Sequence, residues 1–277
     1  MPTVPLTPIH GGERERKDAR AQYVTVILPR RTHPVDKEGA MALNRGVKIT
    51  WLGHATFKIV SPKGKVMVID PWVNSNPACP NDAKTFERLD LMLLTHGHFD
   101  HIADAIALGT RFKPTVLGMY ELCEWLKGKG VENTMGMNKG GSWTVDDITV
   151  TLTNAFHSST IVDGDRVLPA GEPCGLIVRF ENGFTLYHAG DTCVFGDMEL
   201  IAEIYQPELA MLPIGDLYTM SPREAAVACR LMKPRWVLGM HYGTFPVLTG
   251  RPDQLRALIK DLPGTEVLEL KPGETLT

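Results

Sequence analysis

"LDLMLLTHGHFDHIADAI", residues 89–106, joins a run of apolar residues to a cluster of histidines. The apolar run stops at Thr95, and its composition is typical of a strand that is buried on both faces of a sheet. His96, His98, Asp100 and His101 follow within six positions, and a helical pattern comes after them. The segment therefore predicts side chains of the metal-ligand type at the end of a buried strand, in front of a helix.

The spacing of these four residues predicts a metal site. His96 and His98 stand two positions apart in an extended segment, so their side chains point the same way and can hold one ion. A sharp turn after them can present Asp100 and His101 to a second ion about 4 Å away. Four ligand-type residues in this order favour metal binding over packed or solvated histidines.

Three further candidate ligands each end an apolar, strand-like segment. His157 ends "TLTNAFH", Asp191 ends "TLYHAGD" and His241 ends "WVLGMH". Strand ends above a rigid core hold side chains at defined distances, so all these candidates can meet at one rim of a sheet structure.

Composition predicts a soluble globular protein; the small-molecule substrate expected as its partner is implied by the resemblance described below. The formal net charge of −3 argues against long nucleic acids and acidic membranes. No apolar run approaches the roughly 20 residues of a membrane span, and the N-terminus lacks the apolar core of a signal peptide. Five scattered cysteines without a CxxC pair indicate reduced thiols, and hence a cytoplasmic location. The oligomeric state stays open, with a homo-oligomer among the alternatives.

The chain divides into two parts. Residues 1–46 are rich in Pro, Gly and charge, which indicates an N-terminal arm that is partly ordered or flexible. Residues 47–277 contain short β-branched segments, followed by strands and helices in turn. Among them, residues 102–112 are predicted to form a helix, "ENG" to join two strands as a hairpin, and Ser221 with Glu224 to form a capping box at the start of a helix. This order indicates an α/β domain in which two strand-rich halves form a sandwich that is covered by helices on both outer faces.

Six segments together resemble the metallo-β-lactamase-fold superfamily. They are "WLGHATF", "DPWVNSNP", "THGHFDH", "YHAGDT", "LPIGDLYTM" and "MHYGTFP". Within the superfamily they are similar to a widespread bacterial family of metal-dependent hydrolases, to the ascorbate-6-phosphate lactonases and to N-acylphosphatidylethanolamine phospholipase D. The resemblance runs from Val47 to the C-terminus and implies an αββα sandwich of two mixed β-sheets flanked by helices.

The resemblance also implies which residues bind which ion. The first ion would be held by His96, His98 and His157, the second by Asp100, His101 and His241, and Asp191 would bridge both. Zn is the first expectation for both ions, with Mn or Fe as alternatives. Asp70 would brace the histidine segment, and His188 would support the site or pack in the core. His54 would support a ligand, contact the substrate or stabilise the fold through a hydrogen bond.

Two divalent ions that share a water molecule lower its pKa and hold a bridging hydroxide ready to attack a carbonyl or phosphoryl group. The predicted reaction is therefore hydrolysis, with Asp100, Asp191 and His241 as catalytic candidates. A small ester-like substrate is expected, a lactone first. The alternatives are phosphodiester hydrolysis, including RNA processing, and weak β-lactam hydrolysis. A non-enzymatic metal-binding protein is disfavoured by the complete set of ligands.

Candidate substrate contacts come from the segments next to the ligands. They are His54, Asp216, Tyr218, Met220, Tyr242 and Thr244. The stretch "VDGDRVLPAGEP", residues 162–173, is interpreted as a flap over the entrance or as a surface loop. Cys193 is interpreted as a small buried residue, not as a metal ligand.

Overall fold

A computed structural model of the protein describes residues 45–277. The N-terminal arm predicted for residues 1–46 lies outside the described residues, apart from Arg45 and Gly46. No helix in the described part of the chain is both long and apolar enough to cross a membrane.

The described residues form sixteen strands and six α-helices. The strands are β1 (Lys48–Trp51), β2 (Phe57–Val60), β3 (Val66–Ile69), β4 (Leu91–Leu93), β5 (Thr115–Met119), β6 (Thr134–Met137), β7 (Ser142–Val145), β8 (Ile148–Asn154), β9 (Thr160–Asp163), β10 (Arg166–Pro169), β11 (Cys174–Arg179), β12 (Thr185–His188), β13 (Leu209–Pro213), β14 (Trp236–Met240), β15 (Glu266–Leu268) and β16 (Thr275–Leu276). The helices are α1 (Phe99–Ile102), α2 (Ala105–Phe112), α3 (Tyr120–Gly128), α4 (Met198–Tyr205), α5 (Pro222–Met232) and α6 (Pro252–Leu258).

Two seven-stranded mixed sheets contain most of these strands. The first has the order β16-β1-β2-β3-β4-β5-β6, and the second has the order β15-β14-β13-β12-β11-β8-β7. In the first sheet β3, β4, β5 and β6 are parallel neighbours, and in the second β12, β13, β14 and β15 are. Strands β9 and β10 form a separate hairpin. The predicted pair of mixed sheets is confirmed.

Three hydrophobic clusters hold the layers together. The central cluster contains residues of both sheets, such as Phe57 and Leu93 of the first and Leu176 of the second, all with exposed fractions of 0%. A second cluster packs the second sheet against α4, α5 and α6, and a third packs the first sheet against α1, α2 and α3. Burial of apolar area from both faces of each sheet is the main stabilising contribution, and the predicted αββα order is confirmed.

Strand β4 has the burial that its sequence predicts. Leu91 and Leu93 lie in the central cluster, whereas Met92 and Leu94 face α1, α2 and α3, and all four side chains are fully buried. A short strand that is buried on both faces forms a rigid base for the residues that follow it.

Two short sequence motifs in the second half of the chain, a helix cap and a hairpin turn, form as predicted. Ser221 caps α5 by accepting a hydrogen bond from the backbone N–H of Glu224, whose carboxylate accepts one from Ser221 N–H. Strands β11 and β12 form the hairpin predicted around "ENG".

Two other segments differ from the prediction. The helix expected over residues 102–112 is interrupted between α1 and α2. The interpreted flap, residues 162–173, forms much of the β9–β10 hairpin.

Candidate metal centre

The seven candidate ligands lie at one rim of the sandwich. Strand β4 leads through Thr95 to His96 and His98, and α1 then carries Asp100 and His101. In the second sheet His157, Asp191 and His241 follow β8, β12 and β14. Strand β8 runs antiparallel to β11, and β11 runs antiparallel to β12. Strands β8, β12 and β14 therefore point the same way, which is why their last residues meet at this rim.

The first trio consists of His96, His98 and His157. Each offers one ring nitrogen, and the three nitrogens lie within 4.8 Å of one another. His96 Nε2 is 3.0 Å from His98 Nδ1. Two imidazoles that bind one tetrahedral ion at about 2.0–2.1 Å have their nitrogens about 3.3 Å apart. The spacing of the first trio therefore suits a single ion.

The second trio consists of Asp100, His101 and His241. One ligand atom of each, together with a ring nitrogen of His54, lies within 4.8 Å of the others. His241 Nε2 and His101 Nε2 are 3.8 and 3.9 Å from Asp100 Oδ2. This trio also has the size of a site for one ion.

Asp191 lies between the two trios and is 2% exposed. Its Oδ2 is 3.9 Å from His96 Nε2 and 3.7 Å from His157 Nε2, both of the first trio. The same oxygen is 3.2 Å from His101 Nε2 and 3.0 Å from His241 Nε2, both of the second. One carboxylate oxygen thus faces ring nitrogens of both trios, which is the geometry that a bridging ligand requires. We call the two trios and Asp191 the metal cluster.

Three buried polar atoms of the metal cluster have no hydrogen-bond partner among the described residues. They are His101 Nε2, Asp191 Oδ1 and His241 Nδ1. A buried polar atom without a partner costs about 1–3 kcal/mol. Imidazole nitrogens and carboxylate oxygens are also the donor set of Zn, Mn and Fe sites. The residues present therefore fit divalent ions.

Asp70 supports candidate ligands of both trios, His101 directly and His96 through Thr95. Its Oδ1 accepts a hydrogen bond from Thr95 N–H at 2.8 Å, and its Oδ2 accepts hydrogen bonds from Thr95 Oγ1 at 2.6 Å and from His101 Nδ1 at 2.8 Å. Because the Thr95 hydroxyl proton goes to Asp70, Thr95 Oγ1 accepts from His96 Nδ1 at 3.0 Å. Both histidines thus carry a proton on Nδ1 and direct Nε2 toward Asp191. Sequence reasoning identified Asp70 as the brace but missed Thr95, which no spacing rule marks.

Two glycines allow the close approach of backbone around these ligands. Gly190 has a φ of +63°, and a Cβ there would lie 2.6 Å from the carbonyl oxygen of Cys174. A Cβ at Gly215 would overlap the carbonyl oxygen of His241. Glycine is therefore required beside two of the candidate ligands, Asp191 and His241.

His188 belongs to the fold and not to the metal cluster. It is fully buried; its Nε2 donates to the carbonyl oxygen of Ala55 at 3.1 Å, and its Nδ1 accepts from Gly190 N–H at 3.2 Å. Both ring nitrogens are used by backbone groups, so this side chain fixes the turn that leads to Asp191.

His54 and Thr244 lie beside the second trio. His54 Nε2 is 2.9 Å from Asp100 Oδ2, and His54 Nδ1 is 3.0 Å from Thr244 Oγ1. His54 is fully buried, and burial lowers its pKa to about 4, so its ring is neutral. Both residues were predicted as substrate contacts; the structure joins them to each other and joins His54 to Asp100.

The other predicted substrate contacts are distributed differently. Met220, predicted to line the pocket, is fully buried in the hydrophobic cluster that packs against α4, α5 and α6. The ring of Tyr242 stacks on that of Trp51 with centroids 5.1 Å apart, which directs it into the core. Asp216 and Tyr218 are exposed on the loop before Met220. The backbone N–H of Met220 donates to the carbonyl oxygen of Thr192, the residue after Asp191, and so holds this loop next to the site. Cys193 is exposed, contrary to expectation.

The two trios differ in electrostatics. In the first trio burial, followed by the other imidazoles, lowers the pKa of His96 well below its ordinary value, and burial also lowers the pKa of His98 and His157. In the second trio burial opposes protonation, but neighbouring carboxylates outweigh it. They raise the pKa of His101 well above its ordinary value, and they raise that of His241 to about 9.

We therefore expect the two ions to release different numbers of protons when they bind. At pH 7 the imidazoles of the first trio are neutral, whereas His101 and His241 are protonated and must each lose a proton to become ligands. The first trio should release almost none, and the second about two. Affinity of the second trio should then rise between pH 6 and pH 9, through the raised pKa of His241.

Isothermal titration calorimetry of metal-depleted protein, repeated in buffers of different ionisation enthalpy, counts these protons. His98→Ala, which disables the first trio, isolates the binding step that releases protons. Equal proton release in both steps of the wild-type titration contradicts the assignment.

Comparison with known proteins agrees with this architecture. The family model described as "Beta-lactamase superfamily domain" matches residues 65–242. A UPF0173 metal-dependent hydrolase of Koribacter versatilis is 53% identical over 231 residues, which cover 83% of this chain and 98% of the relative. Another of Solibacter usitatus is 52% identical over 228 residues, covering 82% and 98%.

A solved structure is similar as well. It is Igni18, a metallo hydrolase from the hyperthermophilic archaeon Ignicoccus hospitalis, with a TM-score of 0.73 and 34% sequence identity. The match covers 83% of this chain and 97% of the archaeal one. The resemblance inferred from the six sequence segments is confirmed. By its fold, its family-model match and its relatives, the chain belongs to the UPF0173 metal-dependent hydrolases of the β-lactamase superfamily.

Proposed function

We propose that the protein is a hydrolase that uses two divalent ions, one at each trio and bridged by Asp191, to cleave a small ester-like substrate, a lactone first. The observation that carries this proposal is the position of Asp191 Oδ2, which faces two imidazoles of each trio at 3.0–3.9 Å. The names of the relatives support hydrolysis. Zn is the first candidate metal, and Mn and Fe are the alternatives.

The residues of the metal cluster have two roles in this proposal, to hold the ions and to accept a proton. When bound, the two ions would polarise the carbonyl oxygen and supply a nucleophile at neutral pH. The side chain of Asp100 is 15% exposed, which makes it the most exposed member of the second trio. Burial opposes its ionisation, but the neighbouring imidazoles hold its pKa well below the ordinary range, so it is an ionised acceptor. In this proposal Asp100 orients the attacking water and accepts its proton.

The surroundings of the metal cluster favour an uncharged substrate. No Lys or Arg ion pair within residues 45–277 includes a member of the metal cluster. Phe99, between His98 and Asp100, is 63% exposed, and Phe156, next to His157, is 53% exposed. Exposed aromatic rings beside the ligands suit an apolar part of a small ester better than a nucleic-acid backbone.

A substrate panel tests the proposal. Metal-depleted protein, reloaded with Zn or Mn, is assayed with lactones of different ring size, bis-p-nitrophenyl phosphate and nitrocefin. We expect the highest kcat/KM with a lactone, a loss of at least about a hundredfold in His98→Ala and no change in Lys113→Ala. Lys113 is the control because it is exposed and forms its ion pair with Glu132, not with a residue of the site.

The panel also separates the alternatives. Faster turnover of the phosphodiester would favour phosphodiesterase activity, and turnover of nitrocefin alone would favour β-lactam hydrolysis. Turnover that survives both metal removal and His98→Ala contradicts metal-dependent hydrolysis. Metal analysis of the purified protein identifies the ions and their number.

A further inference from the structure

We propose that His54 is the positioning residue of the second trio: its ring holds the Asp100 carboxylate, its backbone carbonyl holds the backbone of His241, and Thr244 fixes its ring. The inference deepens the proposed function and rests on it, because it concerns how the second ion of that site is held. One residue, remote in sequence from Asp100 and His241, thus orients both of these ligands.

The backbone of His54 is held in an unusual conformation. Its φ is +55°, in the left-handed region that residues other than glycine adopt at a cost. Its carbonyl oxygen accepts two hydrogen bonds, from His241 N–H at 3.0 Å and from Trp51 Nε1–H at 2.9 Å. The first of these bonds joins the turn after β1, in the first sheet, to the residue that follows β14, in the second.

The ring of His54 is held from both sides. Asp100, as an ionised carboxylate, can only accept, so the hydrogen bond of 2.9 Å requires a proton on His54 Nε2. In the neutral ring Nδ1 is then an acceptor, and Thr244 Oγ1–H donates to it at 3.0 Å. Asp100 thus selects the tautomer, and the Thr244 hydroxyl, which can donate or accept, matches it by donating to Nδ1.

This tautomer decides between two roles for His54. A ring nitrogen of His54 lies within 4.8 Å of ligand atoms of the whole second trio, so distance alone would allow it to bind the ion directly. However, a nitrogen that carries a proton has no lone pair to offer, and Nδ1 is used by Thr244. His101 Nε2 and His241 Nε2 face the Asp191 carboxylate, whereas both ring nitrogens of His54 are held by Asp100 and Thr244. This geometry favours His54 as a support for a ligand over a role as a ligand.

The contacts of His54 concern the second trio and not the first. Its ring centroid is 3.8 Å from that of His241 and 5.8 Å from that of His101. Trp72 and Phe245 pack against the ring edge-on, with centroids 5.2 and 5.8 Å away. A side chain packed on several sides and hydrogen-bonded at both nitrogens holds Asp100 in one orientation.

Two pairs of variants test the inference by metal binding, without a substrate. In His54→Ala the donor to Asp100 is lost, whereas in His54→Gln an amide N–H can replace Nε2–H but cannot replace an imidazole ligand. Thr244→Val removes the hydroxyl that fixes the ring, and Thr244→Ser keeps it. Ser158→Ala is the matched control, because Ser158 Oγ contacts His98 Nε2 of the first trio at 3.4 Å.

Stepwise calorimetric titration of the metal-depleted proteins with Zn or Mn gives the readout. We expect His54→Ala and Thr244→Val to bind one ion as the wild type does and the second about 10–100-fold more weakly. His54→Gln and Thr244→Ser should recover most of the second affinity. Ser158→Ala should leave the second affinity unchanged. Thermal unfolding of each metal-free variant shows whether it is folded, and the Thr244 pair decides the question if His54→Ala is not.

Three results overturn the inference. If His54→Gln binds the second ion as weakly as His54→Ala does, while Thr244→Val binds it normally, His54 is a direct ligand. If His54→Ala lowers the affinity for both ions equally, His54 supports only the fold. If neither His54→Ala nor Thr244→Val changes the second affinity, His54 has no positioning role. A wild type that binds fewer than two ions instead contradicts the proposed function, so the two failures are distinguishable.

Discussion

Asp191→Asn is expected to abolish tight binding of both ions and to lower kcat/KM by at least about a thousandfold. Loss of the ions removes several kcal/mol of transition-state stabilisation, and each 1.36 kcal/mol is a factor of ten in rate. The substitution keeps the shape of the side chain and removes its charge. Because Asp191 Oδ2 faces imidazoles of both trios, a single change affects both sites.

The physical reason extends to the metal-free protein. Burial opposes the ionised form of Asp191, but the imidazoles of His101 and His241 hold its pKa well below the ordinary range. The carboxylate in turn stabilises their protonated forms. A neutral amide at position 191 therefore lowers the pKa of both imidazoles. NMR titration of the histidine ring protons in the metal-free variant measures that change.

Asp197→Asn is the matched control for Asp191→Asn. Asp197 is exposed at the start of α4 and makes no capping hydrogen bond through its side chain. The Asp197→Asn variant should keep wild-type metal content and turnover. Metal content by mass spectrometry and kcat/KM on the best substrate are measured for both variants. A wild-type content of two ions in Asp191→Asn would contradict the bridging assignment.

Asp70→Ala is expected to have the largest effect on stability, lowering the free energy of unfolding by about 3–5 kcal/mol. Asp70 is fully buried and accepts hydrogen bonds from Thr95 N–H, Thr95 Oγ1–H and His101 Nδ1–H. Alanine leaves these buried donors without an acceptor. Both ions should also bind more weakly, because Thr95 orients His96 and Asp70 itself orients His101.

Backbone strain must be separated from this effect. Asp70 has a φ of +47°, where alanine is strained regardless of hydrogen bonding. Asp146 has the same φ of +47°, but it is exposed and pairs only at the surface with Lys65. Asp146→Ala thus reports the strain, with an ion-pair term of about 0–1 kcal/mol. Urea unfolding of both metal-free variants gives the difference, and equal losses would show that the hydrogen bonds to Asp70 contribute little.

The elements that sequence predicted well are those whose signal is local. "LDLMLL" indicated a strand buried on both faces, and Ser221 with Glu224 indicated the start of α5, because burial pattern and capping depend on neighbouring residues. Strands β6, β7, β9, β10, β15 and β16 were missed. Each is short, and each is defined by its partner, as in the pairing of Ile49 with Leu276. Such pairing depends on residues far away in the chain.

For the site, sequence by itself determined which residue types follow which strands, and so it named the seven residues that the structure gathers at one rim. Their roles as ligands stay a prediction that metal analysis can test. Only the tertiary structure decided the contacts between distant segments. It joins His54 to Thr244, 190 positions later in the chain, and it places Met220 in the core. Strand ends are encoded by local patterns, whereas distances across a rim are set by the packing of two sheets.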